Sequence, residues 1–427
     1  MRRQLFCILY LESIVSRILI TTQGSLGDLF PYLALANILQ AAGYEVTLAG
    51  PEAFAPYVSA ENIDFVPLGP STATLEEVTA ATHTKGIQQG SNAFMQVMSK
   101  GTRADTERLL PHAEQAEILL NNFFALPGSI VAEVAEKPYL NVYLTPAGLL
   151  NPNRPPYIPA FKLLEQLWRL PVVGYSLTRT LLRQLMFKTQ LKNYVRTRRA
   201  YGLPGERFPS LGDFSPFGNI LLYSRRLENA EHPEVDVCQL PYPQYIQPVT
   251  DSAELERFCA YTREIEAQTG RGPVVATLGS TFAGEESGLY EQLRQGVELA
   301  GVELAIICSS QYQAAHPDTE TCRHFSYLPY PQVFAAAALV LHQGGVGTCH
   351  DCLYAGAPQI IVTSAMDRAD NGRQVERAGY GYLWLDQNPA TLASYIRNLL
   401  PTTTELLPRP TKEDYEPLLE LIDFYTP

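Results

Sequence analysis

The chain has 427 residues and carries 32 Lys and Arg against 44 Asp and Glu, a formal net charge of -12. At about 100 to 200 residues per domain this length suits two or three domains, and 46% hydrophobic with 18% charged residues excludes a disordered chain. The acidic balance argues against a nucleic-acid partner, since neutralising phosphates takes surplus Lys and Arg, and seven Cys argue against a disulfide framework.

Residues 1–16 imitate a signal peptide with Arg2, Arg3 and an apolar run, but Glu12 and Ser13 interrupt it and no small-residue cleavage site follows. They are expected to form an N-terminal extension, and the protein is expected to be cytoplasmic or peripheral at a membrane. From Arg17 the pattern alternates short apolar runs with amphipathic stretches. Strands are predicted over 17–22, 45–49, 64–68, 117–122, 138–144 and 219–224, with a helix over 31–42. Residues 236–251 hold Pro241, Pro243 and Pro248 without helical period and read as a linker. A second series follows, with strands over 273–278, 302–308, 339–342 and 359–363 and helices over 286–300, 347–355 and 368–378. The expected architecture is α/β, with two Rossmann-like doubly wound domains (17–235 and 252–400) facing across a cleft, and a tail helix within 401–427 that caps the second domain or returns to the first.

Two glycine loops stand where such sheets bind ligands, just past the carboxyl ends of strands. The first, Gly24-Ser25-Leu26-Gly27-Asp28, fits neither the dinucleotide fingerprint nor a Walker A loop. Its Asp28 reads either as a helix N-cap or as a general base beside the cleft. The second runs from His342 through Gln343, Gly344, Gly345, Val346 and Gly347 to Thr348 and opens a helix, so backbone N–H groups and a positive helix end would meet an anion. With Gly279 and Ser280 closing the first strand of the same half, the two loops suggest a nucleoside diphosphate.

Together these residues resemble the inverting glycosyltransferases of family 1 with the GT-B fold, from Arg17 to about Leu399. The family's first loop reads G-S-x-G-D-x-x-P, matched by Gly24 to Pro31. Its donor signature is matched by His342 to Thr348, Asp351, Ala355-Gly356-Ala357-Pro358-Gln359 and Asp367 with Arg368. The likeness leans to the lipid-acceptor branch, rhamnolipid rhamnosyltransferase and sterol glucosyltransferases, through Phe65-Val66-Pro67-Leu68, Pro138-Tyr139-Leu140 and Pro155-Pro156. The resemblance implies a hexose moved from a UDP- or dTDP-sugar to a hydroxyl of a hydrophobic acceptor, with no other cofactor. Asp28 would be the base, with Gly24, Ser25 and Gly27 in the acceptor loop. Asp351 would hold the ribose, Asp367 the sugar hydroxyls, and the segment Leu328 to Val333 the nucleobase. The chain departs from the family at Gln343 and Arg368, where a His and a Gln are usual. No D-x-D pair occurs, as metal-independent transfer requires. The alternatives are a nucleotide-sugar epimerase of the same fold and a catalytically silent sugar-nucleotide-binding partner protein.

Cys349, His350 and Cys352 invite a metal reading, but without a second Cys pair they read as packing. His83 and His112 follow no predicted strand and read as solvated or packed. Residues 161–200 hold nine basic residues and one acid, interleaved with leucines, which is the pattern of an amphipathic surface resting on anionic lipid.

Overall fold

The structure is a computed structural model that describes residues 16–69, 87–157, 162–170, 174–249, 251–279, 286–362, 367–402 and 404–426. The apolar runs form parallel strands, buried on both faces because helices cover both sides of each sheet. The first half contains β1 (Arg17–Thr21), β2 (Glu45–Pro51), β3 (Asp64–Leu68), β4 (Ile118–Asn122), β5 (Tyr139–Tyr143), β6 (Asn219–Leu222) and β7 (Cys238–Leu240). They line up as β3-β2-β1-β4-β5-β6-β7. The second half contains β8 (Val274–Thr277), β9 (Leu304–Ile307), β10 (Cys322–Phe325), β11 (Leu339–His342), β12 (Gln359–Ile361) and β13 (Gly381–Leu383), in the order β10-β9-β8-β11-β12-β13. Each order reverses at its first strand, β1 between β2 and β4 and β8 between β9 and β11, which opens a crevice past the carboxyl ends there. The loops after β1, β8 and β11 are the glycine loops noted above.

Two features differ from expectation, and a third decides between two expected alternatives. The first helix runs Leu26–Ala41 and so begins five residues ahead of Pro31, which lies in its second turn and forgoes one ladder bond. Ser25 is its N-cap and Asp28 its third residue, a reciprocal capping pair that draws the glycine loop into the helix. Second, the segment read as a linker begins as β7, paired parallel with β6 through Ile220 and Cys238, Leu221 and Gln239, and Leu222 and Leu240. β10 and β13 were likewise not anticipated.

Third, the tail returns to the first half. The helix Glu416–Tyr425 places Leu418 and Ile422, both fully buried, among Ile18, Leu33, Leu140 and Ile220. Tyr425 donates to the Phe217 carbonyl (3.0 Å) and Tyr415 to the Pro241 carbonyl (3.1 Å). No helix among the described residues is long and apolar enough to cross a membrane. Residues 1–15 and His83 lie outside the described residues.

Candidate active site

The carboxylate of Asp28 is held by its own loop. Its Oδ2 accepts from the Ser25 backbone N–H (2.8 Å) and the Ser25 hydroxyl (3.0 Å), while Oδ1 has no partner among the described residues. Gly24 makes room for this arrangement. Its φ of +128° suits glycine, and a Cβ there would collide with the Asp28 carboxylate. Asp28 is half-buried, and desolvation pushes its pKa up to about 6 against the opposing Ser25 bonds. Asp367 raises it further and Arg368 lowers it, so two residues of the second half bear on a carboxylate of the first. Ser25 is thus the group that orients Asp28.

The second loop is shaped from beneath. His342 is fully buried; its Nδ1 accepts from the Gly344 N–H (3.1 Å) and its Nε2 faces the Gln359 side-chain oxygen at 2.9 Å. Burial lowers its pKa to about 4, so the ring is neutral. The expected donor contact by the His342 ring is therefore corrected: one nitrogen is spent on the loop and the other on Gln359 of β12, and His342 positions Gly344, whose φ is +85°. The Gln343 side chain lies against Gly279 and Gly345, where a Cβ on Gly279 would collide with it, and so joins the two donor loops. Asn371 donates to the Gly344 carbonyl (3.0 Å) and to Asp367 (3.3 Å), setting Asp367 and Arg368 beside the glycine loop. The helix Val346–Ala355 starts at Gly345, with Gly347 and Thr348 in its first turn. The Val333 side chain is fully buried in the core, which leaves only its backbone to meet a nucleobase. Ser280 lies outside the described residues.

Residues after β7 complete the cleft, and sequence reasoning missed them. Gln244 donates to Asp351 Oδ1 (2.6 Å), and burial pushes the Asp351 pKa up to about 7. Tyr242 stacks on His350 with centroids 4.4 Å apart at 13°. His350 Nε2 accepts from the Ser224 N–H (3.0 Å) and its Nδ1 faces the Val346 carbonyl (2.8 Å), which leaves no nitrogen for a metal. Cys349 and Cys352 are fully buried in separate apolar clusters, and burial raises both thiols, as packing requires. The halves are clamped at the rim. The Tyr157 N–H donates to Asp370 (2.7 Å), Arg373 pairs with Glu165 (3.0 Å) over the Tyr157 ring, and Arg154 binds Glu228 and Gln374.

The basic stretch is less charged than its composition suggests. Arg169 pairs with Glu165, Arg179 with Glu234, Arg183 with Asp213, Arg199 with Glu206, and buried Arg198 with Glu133. Lys188, Lys192 and Arg196 stay exposed. On the helix Gly174–Thr189, however, Leu177, Leu181 and Leu185 are 50%, 49% and 59% exposed along one face. His112 is exposed, as a solvated histidine would be.

Residues 18–144 match the model of the glycosyltransferase family 28 N-terminal domain, and residues 300–405 that of the erythromycin biosynthesis protein CIII-like C-terminal domain. A sterol 3-beta-glucosyltransferase of Aspergillus clavatus is 24% identical over 390 residues, 86% of this chain and 26% of that protein. The chain thus spans about a quarter of the length of the fungal relatives it matches. Glycosyltransferase GtfE of Amycolatopsis orientalis is 24% identical over 86% of this chain and 85% of its own. In fold, the crystal structure of glycosyltransferase VinC in complex with DTDP superposes with a TM-score of 0.62 at 17% identity, over 95% of each chain. The chain thus matches a glycosyltransferase N-terminal domain in its first half and an erythromycin biosynthesis protein CIII-like C-terminal domain in its second, and its two halves share the GT-B fold of solved glycosyltransferases such as VinC.

Proposed function

We propose that the chain transfers a hexose, with inversion, from a UDP- or dTDP-sugar to a hydroxyl of a hydrophobic acceptor. The observation that carries this reading is that Asp28, an oriented carboxylate with a raised pKa, lies within electrostatic reach of Asp367 and Arg368, which Asn371 ties to the second glycine loop. A base with pKa near the working pH takes a proton efficiently while staying mostly ionised at neutrality. Asp28 Oδ1 takes the acceptor's proton as its oxygen attacks the anomeric carbon. The bond to the diphosphate breaks, and its electron pair stays on the phosphate oxygen. Negative charge grows there, and the N–H groups of Gly347 and Thr348 with the helix's positive end stabilise it. Gly279 and Gln343 flank the diphosphate, Arg368 supplies a cation, Asp351 takes the ribose and Asp367 the sugar hydroxyls. Asp28, with Gly24, Ser25 and Gly27 behind it, faces the acceptor.

A cavity of about 740 Å³ after β5 is lined by Pro152, Pro155, Trp168, Leu170 and Tyr175, but also by Asn153, Arg154, Arg169, Ser176 and Arg377, a wall too polar to argue for an apolar acceptor. The names of the fungal relatives favour a sterol-like lipid. The exposed leucines of the helix Gly174–Thr189 support contact with a membrane, with Lys188 nearby for anionic headgroups.

The test is a panel of UDP- and dTDP-sugars scored by thermal stabilisation, then transfer to lipid extracts by mass spectrometry. The expected result is stabilisation by at least one donor and a glycosylated lipid product. No stabilisation by any donor would overturn the reading. Binding without transfer would favour a silent sugar-nucleotide-binding protein, and donor turnover without acceptor an epimerase.

A further inference from the structure

Tyr242 belongs to neither glycine loop, yet the fold aims it at one of them. It leaves β7 one residue after Pro241, in the crossover between the halves. Two contacts fix its ring and backbone: the ring stacks on His350 at 4.4 Å, and its carbonyl accepts from the Tyr354 hydroxyl at 2.7 Å. His350 is itself pinned by Ser224 and Val346, so the ring cannot swing without moving both halves. This clamp delivers the phenol oxygen to Gly347, where a Cβ would lie only 3.0 Å from it. A glycine at that first-turn position keeps the approach open.

The residue is 4% exposed, and its hydroxyl has no hydrogen-bond partner among the described residues. Unlike the sealed hydroxyls of Tyr143 and Tyr223, this oxygen keeps an opening to the cleft, so its O–H is free to meet a ligand oxygen there. Burial, with the charges of Asp351 and Asp28 close by, holds the proton firmly on the phenol. It is therefore a donor at every working pH, and it lies at a helix end that already attracts anions.

We propose that the Tyr242 hydroxyl donates a hydrogen bond to the donor nucleotide's diphosphate at the first turn of the helix Val346–Ala355. The inference rests on reading the cleft as a nucleotide-sugar site. It makes the crossover between the halves a third wall of the donor site, with Tyr242 on the phosphates and Gln244 behind Asp351. Because charge builds on the departing phosphate, the bond is stronger in the transition state than in the bound donor.

Tyr242→Phe is the test, since it keeps the ring, its stacking on His350 and the carbonyl acceptor while removing only the hydroxyl. Calorimetry is run with UDP, dTDP, inorganic pyrophosphate and the bare nucleosides on wild type and variant, together with donor turnover. Expected are a weakening of about 5- to 20-fold for the diphosphates and pyrophosphate, unchanged nucleoside affinity, and a kcat lowered ~10- to 100-fold. Diphosphate affinity and kcat equal to wild type would overturn the inference while leaving the enzyme reading intact. A parallel loss of nucleoside affinity would overturn it too, since that marks a structural role. Wild type binding neither UDP nor dTDP would sink both readings at once.

Discussion

Asp28 does two jobs that pull its chemistry in opposite directions. As the third residue of its helix it bonds back to Ser25, which favours the ionised form; half-buried in the cleft, it is desolvated, which favours the neutral form. Desolvation wins and brings the pKa to about 6. Transfer is therefore expected to rise from acid pH through a limb near pH 6, because only the ionised carboxylate takes a proton. Asp28→Asn should remove that limb and lower kcat by about 10²- to 10⁴-fold, while UDP and dTDP affinity by calorimetry stays within a few-fold. Gly24→Ala reaches the same atom by another route, since its φ of +128° and the collision with the carboxylate force the loop to shift. We expect it to lose most activity while thermal unfolding moves far less, and full activity in Gly24→Ala would contradict the tight loop.

The elements show what the sequence could and could not tell. Strands such as β1 and β11 were legible because each holds three consecutive aliphatic residues, Ile18-Leu19-Ile20 and Leu339-Val340-Leu341, ahead of a glycine loop. β7 and β13 have three residues each, and β10 reads Cys-Arg-His-Phe, too short or too polar for a pattern to emerge. That is why the segment after Asp236 read as linker and Tyr242 and Gln244 went unnoticed: prolines announce irregular backbone, and only the folded crossover shows which side chains it turns inward. The glycine loops were legible by spacing, but His342 was misread, because a motif position does not say whether a ring faces ligand or loop. The tail was ambiguous until its helix Glu416–Tyr425 was seen in the first half's core. Leu418→Ala there should destabilise by about 2–5 kcal/mol, measured by chemical denaturation, as a large-to-small change at a fully buried site does. The leucine stripe carries a separate expectation. Changing Leu177, Leu181 and Leu185 together to Gln should abolish co-sedimentation with anionic vesicles without lowering stability, because these side chains are about half exposed. Equal vesicle binding by this variant and wild type would remove the membrane role.

Across the whole molecule, the cleft concentrates carboxyls that burial has made reluctant to ionise. Asp28 and Asp351 are pushed up to about 6 and about 7, and Asp367 and Asp370 are raised as well, in each case chiefly by desolvation. A carboxyl with its folded pKa above its unfolded value binds protons more tightly when folded, so its contribution is fully present below about pH 4 and is lost as pH rises through the folded pKa. The ligand-free protein is therefore expected to lose thermal stability between about pH 4 and pH 7. Glu254 acts the other way, its pKa lowered to about 2 chiefly by its bond to Arg257, but its stabilisation is lost only as pH falls below about 4. Asp351→Asn isolates the effect of the cleft, since the amide oxygen can still accept from Gln244 while no charge forms. The variant should melt higher than wild type at pH 8 and converge with it near pH 4. In the same samples UDP should bind it more weakly, because the carboxylate that weakens the empty fold is the group offered to the ribose. A variant that gained stability at pH 8 without losing affinity would show that Asp351 is buried for packing alone, and one that lost both would show that its charge holds the crossover in place.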